Sequence, residues 1–219
     1  MGLFSFFLQG FFPPACRSCG CLVLREDVFC DACFATIKPV VTVMFALSQK
    51  RMVTVYAAGA YEGPLRCLVL QKLKGDILAS KQLGTCMIAL LPLQSISCDL
   101  IIPIPLHWTR YARRGYNQTW YSAKTIAPVM KAPVISLLRR TKKTLYQSTL
   151  SKSDRQKNLE GAFVLVPKYR HLAEHYLAGK HIVLVDDLYT TGATVKAAAQ
   201  VLACYNPASI TVVVACRAI

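Results

Sequence analysis

Residues 180–216 read KHIVLVDDLYTTGATVKAAAQVLACYNPASITVVVAC. KHIVLV (180–185) is a near-continuous apolar run, the signature of a strand buried on both faces. ATVKAAAQVLAC (193–204) has helical spacing, and SITVVVAC (209–216) is a second buried strand. Strand, helix and strand in that order predict an α/β fold with a parallel sheet. Ligands of such sheets bind beyond the C-terminal ends of strands. The stretch LVDDLYTTGAT (184–194) lies at such an end.

Its chemistry is specific. The chain has only 11 acidic residues, and Asp186 and Asp187 stand side by side. The strand is expected to end near Asp186, because a continuing strand would point the two carboxylates to opposite faces. A turn there would bring both to one ligand. Adjacent carboxylates repel and need hydroxyl donors or a cation. The 2′- and 3′-hydroxyls of a ribose, with Mg²⁺, meet that need. The loop behind them offers consecutive backbone N–H groups, the hydroxyls of Thr190, Thr191 and Thr194, and Gly192 for a positive φ. The helix N-terminus beyond adds free donors for a phosphate. Together these make a ribose-5-phosphate clamp. The plainer alternative is a strand, turn and helix with exposed polar turn residues.

Outward from this stretch the α/β alternation continues. RMVTVYAAGAY (51–61) alternates as a strand, and PLRCLVLQKLK (64–74) is helical, with Pro at its start and Gly75 after its end. Residues 76–91 are helical before Pro92. CDLIIPIPLH (98–107) is a short buried strand running into a proline-braced loop. Residues 116–127 are helical, ending before Pro128. A short strand is expected near 134–138 and another in GAFVLV (161–166). The longest patternless piece is 139–160, and a loop of that length is usually functional or disordered. HLAEH (171–175) matches an inverted zinc-protease pattern. It is short and lies in a polar connection, so it is expected to be an exposed helix. No G-x-G-x-x-G, G-x-x-x-x-G-K-[ST] or G-x-S-x-G is present, which disfavours a dinucleotide fold, a P-loop and a hydrolase elbow.

The ten cysteines divide into two sets. Cys67, Cys86, Cys98, Cys204 and Cys216 are scattered among apolar residues and read as core. The others form CRSC, ten residues, then CDAC. Two C-x-x-C knuckles present four thiolates, Cys16, Cys19, Cys30 and Cys33, enough for a closed structural zinc shell. Cys21 is a possible substitute ligand, and a redox dithiol is the rival reading. Zinc would supply most of the folding free energy of so small a knuckle.

Formal net charge is +15, from 26 basic and 11 acidic residues, which suits anionic partners. Residues 139–157 carry seven basic side chains and one Asp, and 107–117 mix three Arg with Trp108, Tyr111 and Tyr116. Such interleaving can track a phosphate backbone and stack on bases. The N-terminus MGLFSFFLQGFFPP lacks the basic start of a secretory signal, and no run reaches the roughly 18 apolar residues of a membrane span. A cytoplasmic chain with reduced thiols is expected.

LVDDLYTTGAT resembles the 5-phosphoribosyl-1-pyrophosphate (PRPP) motif of type I phosphoribosyltransferases. The wider chain resembles the ComF (ComFC) family of bacterial competence proteins. That likeness rests on the cysteine knuckles, PIPLHWTRYARRGYNQ (103–118), QSTLSKSDRQKNLEGAF (147–163) and a chain ending just after its last strand. It implies a type I phosphoribosyltransferase core with a mainly parallel twisted sheet, a small hood and an N-terminal zinc segment. Residues 1–40 would be the four-cysteine zinc-binding unit and 51–219 the phosphoribosyltransferase-like domain, with 139–160 its mobile basic loop. Asp186 and Asp187 would contact the ribose and serve as catalytic residues, and Thr190, Thr191, Gly192, Ala193 and Thr194 would wrap the 5′-phosphate. PIPLH would take pyrophosphate on free N–H groups of Ile104, Leu106 and His107. Arg113, Arg114 and Asn117 are further site candidates. Arg140, Lys142, Lys143, Lys152 and Arg155 are candidates for DNA, with Arg140, Lys143 and Arg155 also candidates for closing over the pyrophosphate. The implied activity is PRPP- and Mg²⁺-dependent phosphoribosyl transfer to an unknown acceptor. The alternative is a non-catalytic single-stranded-DNA-binding module with PRPP as a regulatory ligand. The implied setting is natural transformation, with competence helicase and recombination-mediator partners.

Overall fold

The computed structural model describes residues 14–24, 27–73, 76–106, 109, 111–112, 115–141 and 161–219. Its centre is a five-stranded sheet. The strands are β1 (Val43–Ser48), β2 (Arg51–Ala60), β3 (Leu100–Pro103), β6 (His181–Tyr189) and β7 (Ser209–Arg217), in the order β1-β2-β7-β6-β3. β1 and β2 pair antiparallel, and every other pairing is parallel. A separate antiparallel pair joins β4 (Leu138–Arg140) to β5 (Phe163–Leu165).

Alternation along β6 explains its unbroken apolar run. Ile182 and Leu184 enter one core with Val195, Ala198 and Leu202 of α6 (Ala193–Ala203), and with Leu138 and Phe163 of the β4–β5 pair. Val183 and Val185 enter the other core. That core is built on α2 (Gly63–Leu73), α3 (Ile77–Leu90) and α4 (Gln118–Met130). The result is three layers with the sheet in the middle, as the α/β expectation requires. Two shorter helices are α1 (Asp31–Ala35) and α5 (Ala173–Leu177).

β1 occupies residues between the two expected units, 1–40 and 51–219, and extends the main sheet by one edge strand. Two expectations need correcting. The helix expected to stop before Pro128 continues to Met130, and Lys131 then adopts a left-handed φ of 52° and returns its N–H to Ala127. A proline this close to the end removes only one last-turn hydrogen bond. The strand expected near 134–138 begins at Leu138, while Val134 makes only an isolated parallel bridge to Ile101. HLAEH spans the end of a 3-10 turn and the start of α5, and the four N-terminal cysteines are the one metal-capable group among the described residues.

Candidate functional site

β6 does not stop at the acidic doublet. It stays in register with β7 through Leu188↔Cys216 and Tyr189↔Arg217. Asp186 and Asp187 therefore alternate across the strand tip instead of turning together. Asp186 is buried, and its Oδ1 accepts the Asp187 N–H at 2.8 Å. Asp187 is a quarter exposed and forms an ion pair with Lys72. Lys72 lies near the end of α2 and is fully buried. Burial raises the Asp186 carboxyl to about 6, against the opposing pull of Lys72 and then Arg140. One ammonium thus acts on both carboxylates from the layer beneath the strand ends.

Three residues, 190–192, join β6 to α6. Thr190 and Thr191 are exposed, and Gly192 takes φ +73°. The turn excludes a side chain here on two counts. A left-handed φ disfavours any Cβ, and one at Gly192 would lie 2.7 Å from Tyr189 Cζ. No side chain caps α6, whose first intrahelical bond runs from the Lys196 N–H to the Gly192 carbonyl. The N–H groups of Ala193 and Thr194 therefore head an uncapped, 11-residue helix.

The 103–106 loop lies beyond the end of β3. Its Ile104 N–H is not free: it donates to Val185 O at 2.9 Å and lengthens the β3–β6 pairing. The expectation that Ile104 offers a donor to pyrophosphate is overturned. The Ile104 carbonyl accepts from Thr119 Oγ1 at 2.7 Å and from Asn117 Nδ2 at 3.4 Å, and Thr119 Oγ1 also contacts Asn117 Oδ1 at 3.0 Å. Asn117 thereby ties the loop to the start of α4. Leu106 is half-buried and, with Pro105, Tyr111 and Arg140, borders a cavity of about 520 Å³.

Arg140 is placed differently from an open DNA-contact residue. It is buried, its guanidinium 5.4 Å from the Phe163 ring, and its charge acts on Asp186. His107, Arg113, Arg114, Lys142, Lys143, Lys152 and Arg155 lie outside the described residues, as do Trp108 and nearly all of 139–160. Lys72 was not singled out in the sequence, although a signal existed. Leu65, Leu68, Val69 and Lys72 fall at the i, i+3, i+4, i+7 spacing of one helix face, so a lysine stands on an apolar stripe.

At the N-terminus the Sγ atoms of Cys16, Cys19, Cys30 and Cys33 all lie within 4.8 Å of one another. The first knuckle closes through Cys16 N–H to Cys21 O at 2.8 Å and Gly20 N–H to Cys16 O at 2.9 Å, with Gly20 at φ +80°. The second knuckle opens α1, with Cys30 as its N-cap. Against burial, backbone hydrogen bonds around Cys19, Cys30 and Ser18 lower the Cys16 thiol to about 6, while neighbouring thiols push Cys33 up to about 12. Crowded thiols cannot all ionise without a cation. Four soft donors at this spacing are positioned to bind a metal ion. Cys21 Sγ lies 3.4 Å from Cys19 Sγ, beside the four.

The phosphoribosyl transferase domain family matches residues 123–219. Competence protein F of Haemophilus influenzae is 33% identical over 105 residues, covering 48% of this chain and 44% of that protein. Competence protein ComFC of Bacillus subtilis is 33% identical over 103 residues, 47% of this chain and 38% of that one. The chain thus matches less than half the length of these two relatives. The DNA utilization protein YhgH of Escherichia coli O157:H7 is 30% identical over 212 residues, 92% of this chain and 83% of that protein. Among solved structures, the allosteric regulatory enzyme of purine biosynthesis superposes with a TM-score of 0.40 at 16% identity, over 62% of this chain and 25% of that one. The near full-length match to YhgH, joined to the competence-protein matches and the phosphoribosyl transferase domain, places this chain in the ComF family.

Proposed function

We propose that the chain binds PRPP with Mg²⁺ at the end of β6 and acts in the uptake or use of DNA. The reading is carried by one arrangement: an acidic doublet at a strand tip, a three-residue turn with left-handed Gly192, and an uncapped helix behind it. Asp187, the more accessible carboxylate, accepts sugar hydroxyls, and buried Asp186 holds the strand tip beside it through the Asp187 N–H. The N–H groups and hydroxyls of 190–194 seat the 5′-phosphate. Arg140 belongs with this site as a buried positive charge, not with a DNA surface. Mg²⁺ arrives with the ligand and neutralises its pyrophosphate.

If the ligand turns over, the bond from the anomeric carbon to pyrophosphate breaks as a bond to the acceptor nucleophile forms. Charge then builds on the leaving group, where Mg²⁺ and basic side chains oppose it. The metal of the N-terminal knuckle is zinc, held by Cys16, Cys19, Cys30 and Cys33 in a structural role. The setting in this reading is cytoplasmic. Among the described residues no helix is long and apolar enough to cross a membrane.

Calorimetry with PRPP and Mg²⁺ tests the site. Asp186→Asn combined with Asp187→Asn removes binding; equal affinity in that variant sinks the clamp. Incubation with labelled PRPP and candidate acceptors, followed by pyrophosphate release, separates an enzyme from a binding module. The second reading, a single-stranded-DNA module with PRPP as regulator, draws on the +15 net charge and the names of the relatives.

A further inference from the structure

An acidic doublet is an awkward host for PRPP. The ligand carries a phosphate and a pyrophosphate, and two bare carboxylates would repel both. The fold contains an answer. Lys72 has no exposed surface and reaches the strand tip from α2, where it pairs with Asp187. Its position is fixed from the other side: the Tyr116 hydroxyl donates to the Lys72 carbonyl at 3.3 Å, and Tyr116 stacks edge-on against Tyr121 of α4 at 5.6 Å. Buried Cys216 of β7 lies within reach of the Lys72 charge, and Asp186 feels it together with Arg140. A lysine loses a large hydration energy on burial and persists there only with a strong partner.

We propose that Lys72 is a positioning residue and built-in countercation, which holds the Asp187 carboxylate at the strand tip and cancels part of the doublet's charge so that a polyanionic sugar phosphate can bind. This rests on the PRPP reading and deepens it. The doublet contributes two negative charges, and Lys72 returns one of them. Asp187 keeps enough exposure to accept sugar hydroxyls while paired. Lys72 lies too deep to contact the ligand, so it acts through the carboxylates.

Ligand charge separates this role from simple packing. PRPP and ribose 5-phosphate share the diol and the 5′-phosphate and differ by the pyrophosphate. Lys72→Met keeps most of the unbranched side chain and removes the charge. It is expected to weaken PRPP–Mg²⁺ binding roughly thirtyfold or more, as removal of one partner of a buried charge pair does, and to weaken ribose 5-phosphate far less. Lys72→Arg restores much of the PRPP affinity. In the Lys72→Met background, Asp187→Asn produces no further loss, because the net charge of the tip returns to its original value. Equal losses for both ligands, or additive losses in the double variant, overturn the countercation. Wild-type protein that binds neither ligand overturns instead the PRPP reading beneath it. Should Lys72→Met fail to fold, Lys72→Met/Asp187→Asn removes both charges together. Comparing it with Asp187→Asn alone then decides: the double variant carries one more negative charge at the tip, so weaker PRPP binding with ribose 5-phosphate little changed supports the countercation, and equal PRPP affinity refutes it.

Discussion

Asp186 is the residue whose surroundings oppose its ordinary charge state. Burial raises its carboxyl to about 6 in the fold, from a starting value of 3.8. The folded chain therefore binds a proton more tightly than the unfolded chain between those values. This group's contribution is most favourable below pH 4 and is lost as pH rises through about 6. At pH 7 its ionisation costs on the order of 3 kcal/mol. Asp186→Asn keeps an acceptor for the Asp187 N–H and removes the charge. Urea unfolding is expected to show the variant more stable than wild type at pH 7, with the advantage fading toward pH 4. A gap that stays constant with pH contradicts this. Gly192 makes an opposite case. Ala at this position takes a left-handed φ, which costs roughly 1–2 kcal/mol, and its Cβ drives the Tyr189 ring away. Gly192→Ala should lower the urea midpoint by at least that equivalent; an unchanged midpoint would show the turn relaxing freely. At this scale the sequence was legible where backbone geometry demands a residue type, as at Gly192. It was opaque where charge is hidden by packing. Lys72 is one of 26 basic residues, marked in the sequence only by its place on an apolar helix face, and Arg140 reads like its basic neighbours until burial sets it apart.

Among the elements, the knuckle is bound to the body more firmly than a separate unit would be. Arg17 donates from Nε to Gln82 Oε1 at 2.8 Å and pairs with Asp76 at 3.2 Å, and Gln71 Nε2 donates to Arg17 O at 3.1 Å. Val28, Phe29 and Cys16 join the core of α2, α3 and α4. Zinc that folds the knuckle therefore also covers that core. One zinc per chain is expected by elemental analysis. Its removal by chelator should lower the thermal midpoint by roughly 4–8 °C, the shift that about 2 kcal/mol produces in a chain of this size. A chelated protein with an unchanged midpoint would make the knuckle a passenger. The elements read correctly from sequence are those with a clear apolar pattern or a terminal signal, such as α3 before Pro92, β7 and α6. The misreadings arose where a neighbour decides. β1 is an edge strand whose outward Met44 is exposed and apolar, so it shows no polar alternation. β6 passes its two aspartates because β7 keeps pairing with it to Tyr189. Ile104 loses its N–H to Val185 for the same reason. Pairing partners distant in sequence leave no local mark on either strand.

At the scale of the whole molecule, charge is the dominant fact. A net +15 on 219 residues creates a field that attracts any polyanion, and composition alone does not say where nucleic acid would lie. The structure narrows the candidates by removing Arg140, whose guanidinium is covered and faces Phe163. Lys142, Lys143, Lys152 and Arg155 remain from the basic stretch. If these four neutralise four phosphates of single-stranded DNA, the logarithm of the binding constant should fall with the logarithm of salt at a slope of about −2.8. Fluorescence anisotropy across a salt series measures that slope. Replacing all four by Gln should flatten it by about the same amount and weaken binding most at low salt. Asp187→Asn should leave the slope unchanged if, as proposed, the strand tip serves the sugar phosphate and not the DNA. A quadruple variant with the wild-type slope would move the DNA to another basic surface. A slope that changes with Asp187→Asn would merge the two sites, making PRPP and DNA competitors for one patch of positive charge.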